Sequence, residues 1–247
     1  MKASIFHKGQ TYNVDLSKPI DLSIPLGPDK HPVAWYIDEA TFIPVTDGDW
    51  VGEVSQGADV NFKTITFNPH AHGTHTETVG HISEKKQSIN KRLKTFFFLA
   101  QLITVVPEPQ GEDYIISKKQ LDYGIGKSIP EALIIRTLPN GRDKLNMKWS
   151  HTNWPYLEEE AMLSLRKRGI KHLLIDLPSV DKEKDDGELK AHKAFWNYDG
   201  KQRTDATITE MIYVRHTVKD GNYILNLQIA PFENDATPSK PILYQIN

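Results

Sequence analysis

The run 132-ALIIRT-137 decides the fold class. Ala132 to Ile135 are apolar without interruption, and the residues around them belong to the β-branched set that fills strands. A strand with one wet face alternates apolar and polar residues, whereas a continuous apolar run is a strand covered on both faces. Two further runs read the same way, LITVV at 102–106 and HLLIDL at 172–177. Such a sheet needs a layer on each side, so the chain is expected to be α/β, a layered mixed sheet with flanking helices. Strands are predicted over 62–67, 96–106, 132–137, 172–176, 208–214 and 223–229.

Two helices are legible beside these strands. Residues 157–168, LEEEAMLSLRKR, place Leu157, Ala161, Leu163 and Leu165 on an apolar stripe. Acids open that segment and bases close it, as the helix dipole favours, and Gly169 supplies the stop. Residues 189–196 form a shorter helix that carries His192. The charged stretch 181–190, DKEKDDGELK, reads as a solvated loop. No repeat or low-complexity segment divides the chain, so residues 1–247 are taken as one domain.

Lysine plus arginine (30) nearly balances aspartate plus glutamate (32), which leaves no positive field for nucleic acid or an anionic membrane. No signal-like apolar segment follows the N-terminus, and the longest apolar cluster, at 96–100, is too short to span a bilayer. A soluble, cytoplasmic protein is the expectation. Cysteine is absent, so a metal site has only His, Asp, Glu and water to draw on.

The segment 70-HAHGTHTETVGH-81 supplies such donors in quantity: His70, His72, His75, Glu77 and His81. Four of the ten histidines fall in these twelve positions, which is hard to reconcile with a loop of incidental histidines. A strand at 62–67 delivers the segment and Gly73 permits a tight turn. Extended geometry then puts His75 and Glu77 on one face, and by the same argument His70 and His72 on one face. Imidazole plus carboxylate suits zinc or manganese, with a position left for water. Of the other histidines, His172 within its strand is read as structural and His151 is left open. His7, His31 and His216 have no companions. Trp35, Trp154, Phe195 and Trp196 lie near the motifs, where aromatics are more often core than pocket wall.

The segment resembles the cyclase-like family of metal-dependent hydrolases, which includes bacterial kynurenine formamidase and isatin hydrolase. Beside the family signature His-x-Gly-Thr-His-x-Asp this chain has His-Gly-Thr-His-x-Glu at His72, Gly73, Thr74, His75 and Glu77, and a closing histidine follows at His81. Asp21-Leu22-Ser23-Ile24-Pro25-Leu26 is similar to the family's N-terminal motif. Ile175-Asp176-Leu177-Pro178-Ser179-Val180-Asp181 is similar to its Ile-Asp-x-Pro-Ser-x-Asp strand end. The resemblance carries a helix histidine onto His192 and a strand glutamate onto Glu210. This sequence departs from the pattern twice. His70 is three residues before Gly73 where the family has two, so either His70 or His72 can be the first ligand, with His70 favoured. Glu77 stands where the family has aspartate.

The resemblance implies a swivelling β/β/α domain and a homodimer or higher homo-oligomer, with partner residues near the pocket. It also implies a divalent metal, Zn or Mn, as one or two ions. His70, His75 and Glu77 hold one ion, and Glu77, His192 and Glu210 complete that site or hold a second ion. A metal in such a site lowers the pKa of its water towards about 7 and polarises a carbonyl. His81 then moves a proton between water and leaving amine. The expected substrate is a small-molecule amide, an aryl formamide first or an isatin-like cyclic amide. The alternative from another class is a metal-binding domain without catalysis.

Overall fold

A computed structural model describes residues 1–246. Eight strands build its main sheet: β1 (Ile20–Asp21), β2 (His75–Glu77), β3 (Phe97–Val105), β4 (Ala132–Thr137), β5 (His172–Ile175), β6 (Thr207–Glu210), β7 (Gly221–Ile229) and β8 (Ala236–Gln245). Their order is β7-β3-β4-β5-β6-β2-β8-β1, and β7 also pairs with β8. Seven strands therefore close into a ring, with β1 attached outside it. Strands β3, β4, β5 and β6 run parallel to one another. The remaining pairings around the ring are antiparallel. The sheet is mixed, as the apolar runs imply, and closure leaves the ring strands no open edge.

Alternation along the buried strands sends one set of side chains into each of two cores. Ala132 and Ile134 point inside the ring, among Leu102, Leu174, Leu225 and Leu243. Leu133 and Ile135 point outward with Ile103, Leu173 and Ile208, and helices cover them. Those helices are α1 (Lys118–Ile125), α2 (Glu159–Lys167) and α3 (Lys190–Trp196). Helix α1 opens with a capping box in which Ser117 and Gln120 satisfy each other's backbone. A continuous apolar sequence is the consequence of serving both cores at once.

Three expectations about elements are corrected. The helix read at 157–168 begins at Glu159, because Leu157 instead joins the short strand Tyr156–Leu157 beside Ile116. Its buried stripe is Ala161, Met162 and Leu165, and Leu163 is only half-buried. The strand read at 208–214 ends at Glu210, because Met211 takes a φ of 51° and turns the chain. Within 181–190, Asp181 and Glu183 are buried rather than solvated. Among the described residues no helix is long and apolar enough to cross a membrane.

Candidate metal centre

Strand β2 is bonded on both sides, which fixes its side chains closely. His75 lies opposite Glu210 of β6 and Pro238 of β8, and Glu77 lies opposite Ile208 and Ala236. His75, Glu77 and Glu210 thus share the outer face of the ring. Thr76 points the other way, its hydroxyl 2.8 Å from that of Thr209. His75 Nδ1 donates to the Gly73 carbonyl at 3.1 Å, which turns its Nε2 to the outer face, 3.3 Å from Glu210 Oε2. Gly73 holds a φ of 82°, and a Cβ there would sit against the Ile24 carbonyl.

The turn before β2 separates the two histidines that extended geometry would have placed together. The Ala71 and His72 amides both donate to the Asn68 carbonyl, so the chain curls and is not extended. His70 swings to the outer face, with Nδ1 3.0 Å from Glu77 Oε2 and Nε2 2.7 Å from Asp235 Oδ2. His72 turns away. Its Nδ1 accepts from the Asn68 amide and its Nε2 donates to the Asp38 carbonyl, both at 2.8 Å. Both nitrogens of His72 are occupied within the loop, and its ring packs edge-on to buried His31.

After β2, Thr78 accepts from the Gly80 amide and starts a turn of 3-10 helix, Val79–His81. A side chain at Gly80 would place its Cβ 2.5 Å from the Gln87 carbonyl, so only glycine fits. That turn brings His81 back over Glu77, Nδ1 to Oε2 3.9 Å, and stacks it on His70 at 4.2 Å between ring centres. His81 keeps 32% of its side chain exposed, and His75, Glu77, His192 and Glu210 are all buried. His192 reaches the group from α3, with Nε2 3.1 Å from Glu77 Oε1 and 3.8 Å from Glu210 Oε1. Asp181 holds it by accepting from His192 Nδ1 at 2.6 Å and from the Ala191 amide at 2.7 Å. Glu210 Oε1 accepts from the Val180 amide at 3.0 Å.

Charge in this cluster is balanced only through close pairing. Burial by itself raises the Glu77 carboxyl, but His81, His192 and His70 hold it well below the usual range. Burial likewise lowers His192, and Asp181 with Glu77 overrides it to push the imidazole well above its ordinary value. His70 loses by burial and gains more from Asp235 and Glu77, which push it up to about 10. Buried carboxylates thus keep protons on the rings, and a divalent cation can replace those protons while releasing them.

Three buried atoms of the cluster have no hydrogen-bond partner: His70 Nδ1, His75 Nε2 and Glu77 Oε2. They nevertheless lie close to opposite charge, His70 Nδ1 3.0 Å from Glu77 Oε2 and His75 Nε2 3.3 Å from Glu210 Oε2, so lone pairs and charges crowd one spot without hydrogen-bond geometry. Their residues can each offer a ligand atom within 4.8 Å of the others, and Glu77, His81 and His192 can do the same. Two imidazole nitrogens and a carboxylate oxygen are a donor set that zinc or manganese accepts. The residues therefore fit a divalent ion.

Of the sequence-selected residues, His70, His75, Glu77, His81, His192 and Glu210 meet here, and His72 does not. Sequence reading missed Asp181 and Asp235. Asp181 ends the motif that begins at Ile175, so a signal existed and was masked by the charged run after it. Asp235, in FENDATP, carries no pattern. Trp154, Phe195 and Trp196 are fully buried in the core, and Trp35 packs edge-on against Trp154. His172 is buried against Phe98, and the His151 backbone amide donates to Glu183.

A family profile described as "Putative cyclase" matches residues 15–182. The chain is 26% identical over 235 residues to a kynurenine formamidase of Bacillus thuringiensis, covering 94% of this chain and 97% of that one. The kynurenine formamidase of Bacillus cytotoxicus is 25% identical over 232 residues, covering 93% and 96%. Among solved structures, isatin hydrolase A of Labrenzia aggregata superposes with a TM-score of 0.67 at 15% identity, covering 93% of this chain and 94% of that one.

Proposed function

The chain belongs to the Cyclase family, its profile matching residues 15–182, and from that premise we propose that it is a metal-dependent hydrolase of non-peptide amide bonds in small molecules. The observation that carries the reading is the convergence of His70 Nδ1, His75 Nε2 and Glu77 Oε2, all buried atoms without hydrogen bonds, beside a partly exposed His81. His70, His75 and Glu77 would hold one ion, and His192 and Glu210 would complete that site or share Glu77 with a second. When bound, zinc or manganese supplies Lewis acidity towards a carbonyl and acidifies water. His81 faces the open side of the cluster, where its ring can take a proton from attacking water and return it to the leaving amine. The Gly73 carbonyl and Asp181 hold His75 and His192 in place, and burial of Glu77 keeps bulk water from competing for it.

The kynurenine formamidase relatives favour a linear aryl formamide as substrate. The fold shared with isatin hydrolases keeps a cyclic amide as the second reading. Turnover of N-formyl aromatic amines against isatin-like rings separates the two. Elemental analysis tests the metal. Purified wild type is expected to hold about one to two divalent ions per chain, and His75→Ala and Glu210→Ala to lose most of it. Stoichiometric metal retained in both variants would defeat the assignment.

A further inference from the structure

A histidine offers a lone pair on one ring nitrogen only when the proton is held on the other. His75, His192 and His70 each have an acceptor on the side away from Glu77 that settles this choice. For His75 the Gly73 carbonyl takes Nδ1, and for His192 the Asp181 carboxylate takes Nδ1. For His70 the acceptor is Asp235, whose Oδ2 lies 2.7 Å from Nε2 and leaves the buried Nδ1 facing Glu77 Oε2 at 3.0 Å, where a metal would take the place of its proton.

His70 needs such a partner more than the others do. His75 rides on a strand bonded along both edges, and His192 rides on a helix, but His70 comes from a curled turn. Its backbone amide is held by Asn68 Oδ1 at 2.9 Å, a bond that does not itself fix the side-chain torsions. It also stands three residues before Gly73, so its ring must be brought to the site by something outside the turn. Asp235 can do so because it is itself anchored. Its carbonyl accepts from the Thr78 amide at 3.1 Å, tying the β7–β8 turn to the residue that follows β2.

We propose that Asp235 is a positioning residue that makes His70 a metal ligand, by holding the Nε2 proton and fixing the ring with Nδ1 turned to the metal position. The inference rests on the reading of the site as a metal centre. It assigns the otherwise unmarked turn between β7 and β8 a part in metal affinity.

Competition against a chelator, with Zn2+ or Co2+ added to the metal-free full chain, measures the effect directly. Asp235→Ala is expected to bind about 10–100-fold more weakly than wild type, the usual loss when such an outer partner is removed. Asp235→Asn keeps an acceptor oxygen without its charge and should recover part of that loss. Combining Asp235→Ala with His70→Ala should cost no more than His70→Ala alone, and the Co2+ visible spectrum of Asp235→Ala should shift with the changed ligand. Wild-type affinity in Asp235→Ala, or losses that multiply in the double variant, would overturn the inference and leave the metal centre standing. If the wild-type chain binds neither ion, the metal-centre reading fails and this inference fails with it.

Discussion

His81 differs from the other members of the cluster in a way that separates ligand from proton carrier. His75, Glu77, His192 and Glu210 are buried and His70 is 20% exposed, whereas His81 remains 32% exposed and approaches Glu77 only to 3.9 Å. A group that exchanges protons with substrate must be reachable, and a ligand need not be. His81→Ala is therefore expected to keep its metal by elemental analysis and to lose about 10²–10⁴ in turnover. Unchanged turnover and an unchanged pH profile in the metal-loaded variant would remove His81 from the chemistry. The two departures from the family pattern also belong to this scale. Glu77 reaches from a strand whose backbone is locked, and the turn at residues 68–73 carries His70 rather than His72 to it. Periodicity could not distinguish those two histidines, because the choice depends on which amides bond to Asn68.

At the scale of elements, the strands with two buried faces were legible and their ends were not. ALIIRT gives its strand to the residue, because nothing but a doubly covered strand uses such a run. The end of β6 at Glu210 was hidden, since residues 211–214 stay apolar and buried while Met211 turns the backbone. Leu157 was lost from its helix by a partner far away in sequence, Ile116. His172 shows what a fully buried strand imposes on a titratable side chain. Burial against Phe98 pushes its imidazole down to about 4, with Thr207 Oγ1 at 2.9 Å as its hydrogen-bond partner. The folded pKa lies below the unfolded value near 6.5, so the unfolded chain binds the proton first as pH falls. Stability from this group is complete above about 6.5 and is lost progressively down to about 4. Between pH 7.5 and pH 5 the loss is about 2 kcal/mol. Denaturant unfolding at those two pH values should show His172→Gln losing about that much less than wild type. Equal pH slopes in both proteins would mean that folding does not move the His172 pKa.

At the scale of the molecule, the centre draws on four separate parts of the chain, the 68–81 segment, 181–192, Glu210 and Asp235. Most of it was legible because each part but the last carries a motif; Asp235 contributes through folding alone. The same view exposes an arm that the ring does not cover. Strand Thr41–Pro44 pairs with Lys63–Thr66, and Ile43, Val54, Val60, Phe62 and Ile65 on and around that hairpin are all exposed. A two-stranded ribbon is marginal by itself, and a cluster of exposed apolar side chains marks an interaction surface. The arm leads directly into the turn that carries His70, and Phe67 packs against Phe232, close to Asp235. We propose a second copy of this chain as the occupant, in keeping with the homodimer or higher homo-oligomer that the sequence resemblance implies. Light scattering after gel filtration should give at least twice the chain mass. Ile43→Lys with Ile65→Lys, which charges both faces of the ribbon without touching the ring, should yield a monomer that retains its fold by circular dichroism. Metal affinity should fall in that monomer if the partner steadies the turn at His70. A wild-type chain that is monomeric at micromolar concentration, or an unchanged mass in the charged variant, would mean that the arm is not the interface.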